Sequence, residues 1–403
     1  MNNLTAPAGI VLVLHHDADL YGSDQSLLRT VRAMKAGGLT PVVVLPHDGP
    51  LVALIRAEGV ELNIGPVGKV TRQLMRPAGL LRLARDLWTC VRFLSRVVAG
   101  RRVLLVYSNS VAVLGGGLWA KLHAVPRLWH VREIVVSPRL AVRGFPMMLA
   151  FMGGWCVCNS HATRSWITTE APSLAARSSV IWNGLEAIDP PDPEAVAKLR
   201  AAHMIEADHV VVALVGRINR WKGQAVLIEA AALLRQQQRA TLRFFIVGDV
   251  ADGQIHYRET MLAQIGSACL EGHVFWLPFT REVDVVWAAT DIAVVPSIEP
   301  EPFGRVAIEA MAHGVAVVAS AHGGLAEIVE HGKTGLLVPP GNAPELADAI
   351  ARLADSPALR KAYGRAGIAR QQTHFSQAEH DRSLMALMRG LLAPGGAGNG
   401  ASQ

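Results

Sequence analysis

The sequence predicts an α/β protein made of two Rossmann-like, doubly wound parallel-sheet domains facing each other across a cleft. Three observations carry this. Apolar runs rich in Val, Ile and Leu, without polar alternation, recur between helix-length segments, the signature of parallel strands covered on both faces. The pattern restarts after a Pro/Asp-rich stretch at 183–193, the best linker in the chain. The 403 residues, 51% of them hydrophobic, exceed one ordinary domain and suffice for two cores.

In the first half the runs at 10–14, 41–45, 103–107, 127–131 and 155–158 read as strands. In the second half those at 210–215, 243–247, 274–277, 292–295 and 316–319 do so. The expected division is a first domain over 1–186, a second over 187–375, a terminal helix over 376–393 packing back on the first domain, and a Gly/Ala/Asn/Ser-rich disordered tail over 394–403.

Mean hydropathy is high, +0.27, yet no apolar run reaches the roughly 18 residues of a spanning helix. Residues 1–9 lack the basic start and apolar core of a secretory signal, so a cytoplasmic protein is expected. Cys90, Cys156, Cys158 and Cys269 form no CxxC pair and are expected as buried reduced thiols. Charge is uneven: residues 1–190 hold 20 Lys/Arg against 11 Asp/Glu, and residues 191–403 hold 19 against 22. The basic half suggests an acidic partner such as anionic lipid or a diphosphate. No basic-aromatic recognition module points to nucleic acid.

The segment Glu301-Pro302-Phe303-Gly304-Arg305-Val306-Ala307-Ile308-Glu309 sets two carboxylates eight positions apart around a glycine turn. A strand precedes it and a helix over 305–313, stopped by Gly314, follows Gly304. Glu301 thus falls at the carboxyl end of a strand, where open α/β sheets bind ligands, and the helix start offers free N–H groups to a phosphate. Gly216-Arg217-Ile218-Asn219-Arg220-Trp221-Lys222-Gly223 follows the first strand of the second half. Arg217 in bidentate contact and Lys222 as a point charge would clamp a diphosphate. Taken alone, this loop reads equally as a solvated basic turn.

Together, the Gly216-Arg217…Lys222-Gly223 segment, Glu301-Pro302-Phe303-Gly304…Glu309-Ala310-Met311-Ala312-x-Gly314, Gly323-Gly324-x-x-Glu327 and Gly332-x-x-Gly335 resemble the donor-binding half of glycosyltransferase family 4. These are retaining, nucleotide-sugar-dependent enzymes of GT-B fold. The resemblance covers most of the chain and is strongest over 215–338. It implies that Arg217 and Lys222 hold the donor diphosphate and that Glu309 accepts both ribose hydroxyls. It also implies that Gly304, Arg305 and Val306 lend backbone N–H groups to the phosphates, and that Glu301 binds hydroxyls of the sugar. Gly216 and Phe303 line the same site. A hexose would pass from a UDP- or GDP-linked donor to a glycan or polyprenyl-diphosphate-linked acceptor, in surface polysaccharide or glycolipid assembly. No cofactor is implied. With two cations and no Asp-x-Asp pair of the type that binds a metal–diphosphate in the other main transferase fold, a metal is not expected either.

In the first half, His15-His16-Asp17 follows the first strand, and Leu20-Tyr21-Gly22-Ser23-Asp24-Gln25 opens a helix. The family often has Gly-Gly-Ala-Glu there; Gly22 and Ser23 remain donor-site candidates, with a plain helix cap as the other reading. Ser108-Asn109-Ser110 is a further lining candidate. The sharpest departure is Trp129-His130-Val131-Arg132-Glu133, where many relatives carry a His followed by an acid. Aligned this way, Arg132 takes the histidine position. Either His130, two residues earlier on the same face, substitutes, or Arg132 makes the sugar contact.

A helix is expected over 77–102, with Arg82, Arg85, Arg92 and Arg96 on one arc. Arg139 and Arg143 lie among Leu140, Val142, Phe145 and Met147. Such a basic, apolar face suits docking on anionic lipid at the inner face of a cell membrane; an ordinary solvated helix face is the other reading. Two functional alternatives remain at this stage: a GT-B-fold epimerase of a nucleotide sugar, and a non-catalytic binder of one.

Overall fold

The structure, a computed structural model, describes residues 9–20, 22–70 and 77–393, without the side chains of Pro77, Ala78 and Leu80. Tyr21 and the tail expected to be disordered, 394–403, lie outside the described residues. The chain forms two units: residues up to Asn183 together with those from His380 onward, and Gly184–Glu379.

The first unit holds seven strands: β1 (Ile10–Leu14), β2 (Thr40–Leu45), β3 (Glu61–Ile64), β4 (Val103–Ser108), β5 (Arg127–Val131), β6 (Trp155–Cys158) and β7 (Ser178–Val180). All pair parallel, in the order β3-β2-β1-β4-β5-β6-β7. The second unit holds β8 (Val210–Val215), β9 (Leu242–Val247), β10 (Val274–Leu277), β11 (Ile292–Val295), β12 (Ala316–Ser320) and β13 (Gly335–Val338), parallel in the order β10-β9-β8-β11-β12-β13. Each sheet therefore reverses its winding direction at one place, between β1 and β4 and between β8 and β11. Loops leaving the carboxyl ends of those strands diverge and leave room for a ligand.

The expected strands are all present, within one or two residues at their ends. Three more, β3, β7 and β13, were not foreseen, and each lies at a sheet edge. An edge strand is covered less completely, so it need not be a continuous apolar run. Glu61-Leu62-Asn63-Ile64 is in fact nowhere fully buried.

In the first unit, Val11, Val13, Val43, Leu45, Leu105 and Tyr107 face one side of the sheet, against the helices Gly22–Ala36 and Pro50–Ala57 and the helix Gln377–Leu392, which contributes Leu384, Met385 and Met388. Leu12, Leu14, Val42, Val44 and Val106 face the other, against Cys90, Val91, Leu94 and Val98 of the helix Pro77–Val98. That helix stops four residues short of the expected Arg102, because Ala99 and Gly100 turn left-handed, φ 47° and 78°. Cys90, Cys156 and Cys158 are buried as expected, but Cys269 is exposed. It sits just past the helix Ile255–Ser267, at a left-handed φ of 53° that turns the chain toward β10.

Leu384 is fully buried in the first unit's core. Leu384→Ala is expected to cost about 3 kcal/mol, transfer and cavity combined, read as a lower urea midpoint for that unit.

Candidate functional site

In the second unit the site starts from two loops at the winding reversal. The β8 loop turns at Gly216 (φ 153°), and Asn219 Oδ1 accepts from the backbone N of Trp221 (3.1 Å) and Lys222 (3.0 Å). This Asx-type turn fixes Lys222 before the helix Gln224–Gln236 begins. Gly223 is left-handed (φ 81°), and a Cβ on it would lie 2.0 Å from the Pro296 carbonyl oxygen. Only glycine lets the β8 loop touch the β11 loop so closely.

Across that contact, Lys222 Nζ donates to Glu301 Oε1 at 2.5 Å, and Ser297 Oγ donates to the same oxygen at 2.7 Å. Glu301 is buried, 4% exposed, and Ser297 is fully buried. Glu301 Oε2 receives no hydrogen bond among the described residues. Lys222 Nζ also lies 4.5 Å from the centre of the Trp221 ring. Arg217, earlier in the same loop, is exposed. Gly304 (φ 105°) precedes the helix Arg305–Ala312, on which Arg305 Nε donates to Glu309 Oε1 at 2.8 Å. Phe303 is buried and its ring packs edge-on against Phe375, centres 5.9 Å apart. It therefore supports the turn from beneath. Val306 is partly exposed at the helix start, with Arg305.

The glycine pair Gly323-Gly324 holds the Glu301 loop from its other side. A Cβ on Gly323 (φ 59°) would lie 2.4 Å from Glu301 O and 2.7 Å from Glu301 N, and Gly324 N donates to Glu301 O at 2.8 Å. Arg217, Lys222, Glu301, Gly304, Arg305 and Glu309 thus come from two adjacent loops and one helix start, as their motifs suggested. Sequence reasoning did not single out Ser297 or Asn219. The signal for Asn219 was its place two and three residues before the N–H groups it caps; Ser297 carried no signal beyond ending a strand.

In the first unit, the carboxyl ends of β1, β4 and β5 hold a buried polar network. His15 Nε2 donates to Asp24 Oδ1 at 2.7 Å, and Asn109 Nδ2 donates to His15 Nδ1 at 3.0 Å. Arg132 donates from Nε to Asn109 Oδ1 (3.0 Å), from Nη1 to Asn183 Oδ1 (2.8 Å) and from Nη2 to His130 Nδ1 (3.0 Å). The Tyr107 hydroxyl donates to that same His130 nitrogen. His130 has no exposed surface, and burial, then Arg132 and His380, hold it well below the ordinary imidazole range. Of the two alternatives for the sugar contact, His130 is a buried imidazole bonded to Arg132, and Arg132, partly exposed, is the one that reaches the surface. Glu133 accepts from Ser110 Oγ and from the Arg132 backbone N, and burial raises its carboxyl above the usual range. Ser23 Oγ donates to Asp24 Oδ1 at 3.2 Å, and a Cβ on Gly22 would meet no atom within 4 Å, so nothing in the protein itself requires glycine there.

The expected basic and apolar face is present on this unit. Leu81 and Trp88 stand exposed beside Arg82, Arg85, Arg92 and Arg96, and Leu140, Met147 and Phe151 beside Arg139 and Arg143. Arg82 and Arg85 approach Asp86, and Arg143 approaches Glu170. Among the described residues no helix is long and apolar enough to cross a membrane. The one close group of potential metal ligands among them, Glu206, Asp208 and His209, lies before the amino end of β8, the opposite end of that strand from the Gly216–Gly223 loop, and both ring nitrogens of His209 are already bonded, to Glu206 N and Arg243 Nη2.

Residues 196–370 match the family of glycosyl transferases group 1. The D-inositol 3-phosphate glycosyltransferase of Pseudarthrobacter chlorophenolicus is 38% identical over 178 residues, 43% of this chain and 41% of that protein. The protein of the same name from Kribbella flavida is 35% identical over 194 residues, 47% of this chain and 45% of that protein. The chain spans less than half the length of these curated relatives. Among solved structures, HepE of Anabaena in complex with UDP superposes with a TM-score of 0.79 at 25% identity, covering 94% of this chain and 99% of that one. By these matches residues 196–370 are similar to the glycosyl transferases group 1 family, and the chain has the GT-B fold.

Two measurements test the two networks. Lys222→Met and Glu301→Gln, alone and combined, are expected to show a coupling of about 1–3 kcal/mol in unfolding, because each single change strands a buried polar partner. His380, in the first unit, is brought down from 6.5 to about 4, by burial first and then Arg132. As pH falls, the unfolded chain takes up this proton first, so stability is lost between 6.5 and 4. At pH 5 the loss from this group is about 2 kcal/mol. Urea unfolding at pH 7 and pH 5 should show a smaller acid penalty in His380→Gln than in the parent.

Proposed function

We propose that this protein is a retaining hexosyltransferase that takes its sugar from a nucleoside diphosphate donor, with uridine favoured as the base. The observation that carries the reading is the pairing of Lys222 with buried Glu301 at the winding reversal of the second sheet, beside the start of the Arg305–Ala312 helix. A diphosphate needs fixed positive charge and N–H donors, a ribose needs a two-oxygen acceptor, and a sugar needs a rigid carboxylate. Arg217 with Lys222, Glu309 and Glu301 supply these in turn. The uridine preference draws on HepE, which was crystallised with UDP.

In the proposed reaction the bond between the anomeric carbon and the diphosphate oxygen breaks, and the acceptor oxygen bonds to that carbon. Its proton passes to the departing phosphate oxygen. Lys222 and Arg217 stabilise the charge that develops on the diphosphate. Glu301, held by Lys222 and Ser297, keeps one sugar hydroxyl oriented through its remaining oxygen. Two cations perform the task that a metal performs elsewhere, so neither metal nor cofactor is needed. The exposed Leu81, Trp88, Leu140, Met147 and Phe151 among arginines favour a lipid-linked glycan acceptor met at an anionic membrane surface, and with it a role in surface polysaccharide or glycolipid assembly.

The test is a thermal-shift panel with UDP, GDP and ADP on the parent and on Glu309→Ala. One nucleotide at about 100 times its Kd should stabilise the parent by about 2.7 kcal/mol and the variant far less. Lys222→Ala should lower donor turnover by about 10²–10³-fold. Absence of any nucleotide shift, or a shift indifferent to Glu309, would refute the reading.

A further inference from the structure

We infer that the first unit carries a saccharide site of its own, a cavity beside the outer flank of β7 that takes one pyranose ring bearing an anionic group. The binding stands on the cavity alone. Its use, to hold an outer sugar of a glycan acceptor, rests on the transferase reading above.

β7 ends the first unit's sheet, so one of its flanks has no neighbouring strand among the described residues. A cavity of about 290 Å³ lies there, lined by His161, Arg164, Ser178, Ser179, Val180 and Trp182. It falls at the low end of small-molecule pockets, about 300–1,000 Å³, and suits one sugar ring rather than a nucleotide. His161 opens the helix His161–Glu170 that follows β6, so the cavity reaches the same ligand edge as the β5 loop, two strands along the sheet.

A pyranose has a face of C–H groups, which packs on an aromatic ring, and a rim of hydroxyls, each both donor and acceptor. The cavity offers partners for both. The Trp182 indole is one wall, and the His161 ring stands steeply to it, 71° between planes and 6.0 Å between centres. The polar groups follow from how β7 is tied down. Arg164 Nε donates to Ser178 Oγ at 3.1 Å and to Ser178 O at 3.3 Å, and Nη2 donates to Ala175 O at 3.0 Å. Those bonds fix the guanidinium, and its Nη1 has no hydrogen bond among the described residues. Ser179 Oγ accepts from Trp155 Nε1 at 3.1 Å, so its own proton is left to give. Ile181 N donates to Cys158 O, toward β6. By strand alternation Val180 therefore turns its N–H and C=O to the open flank, as Ser178 does.

The lining holds one permanent cation and no carboxylate, which favours an anionic sugar over a neutral one. A metal would find neither carboxylate nor thiolate there. A peptide adding a strand would need a longer edge: β7 has three residues, and the Ser178 carbonyl is already taken by Arg164.

The test titrates the full-length protein with methyl β-D-glucuronoside, methyl β-D-glucoside and inorganic phosphate. It reads saturation transfer to the sugar and the shift of the Trp182 indole N–H resonance, assigned by its loss in Trp182→Phe. The uronoside should bind the parent and move that resonance, with the glucoside weaker. Arg164→Met should weaken the uronoside by about tenfold or more, the worth of one charge-assisted hydrogen bond. His161→Ala, at an exposed position, should weaken both sugars by about three- to tenfold, and it carries the test if Arg164→Met unfolds. Glu301→Gln, in the second unit, should change the affinity less than about twofold. The inference is overturned if neither sugar binds the parent, if the uronoside is no tighter than the glucoside, or if phosphate competes as an equal. It is also overturned if binding survives both first-unit variants, or is lost in Glu301→Gln, which would assign the sugar to the second unit. A failure of every nucleotide to bind would remove the transferase reading and leave this site standing.

Discussion

The missing side chain of Gly223 is the constraint on which the second unit's site depends. Two loops leave neighbouring parallel strands, and without close contact they would diverge. At Gly223 the backbone approaches the Pro296 carbonyl so nearly that no Cβ fits, and on the far side Gly323 does the same against Glu301. The Glu301 loop is clamped between two glycine contacts. Its carboxylate then needs only Lys222 and Ser297 to fix its direction. Charge and hydroxyl act at the tip, but the tolerance of a few tenths of an ångström comes from backbone against backbone.

The first unit solves the same problem with different chemistry. There the ligand edge is ordered by side-chain hydrogen bonds passed from Asp24 through His15 and Asn109 to Arg132, nearly all of them shielded from water. Such a network is strong only while complete, since each member that loses its partner leaves a buried polar group exposed to its own desolvation cost. The burial that depresses His130 and His380 is the same burial that makes the network rigid.

Much of this was legible in the sequence. Interior strands such as β1, β8 and β11 announce themselves because both faces are covered and every residue must be apolar. The edge strands β3, β7 and β13 do not, because one flank is open and their composition is free to vary. The closeness of Lys222 to Glu301 was readable because charged residues at fixed distances from glycines need a reason. Ser297, Asn219 and Asn183 were not, since a small polar residue in a loop looks the same whether it caps a turn, orients a carboxylate or faces water. The burial of His130 was not legible for a related reason: alternation places it on one face with Arg132, but only the packing of Tyr107 and His380 around it shows that it is enclosed.

The second unit begins and ends at one place. Leu185 N donates to Phe375 O, and Gln377 N donates to Leu185 O, both at 2.9 Å, so the incoming and outgoing strands of chain are stitched side by side. After that stitch the terminal helix completes the first unit's core. In sequence terms the second unit is thus an insertion, a cassette placed between Asn183 and His380 of its host. A recombination event with breakpoints in these two stretches of chain would exchange the whole second unit while leaving the core of the first, as its buried residues define it, intact. Either module, cassette or host, could then be replaced without redesigning the core of the other.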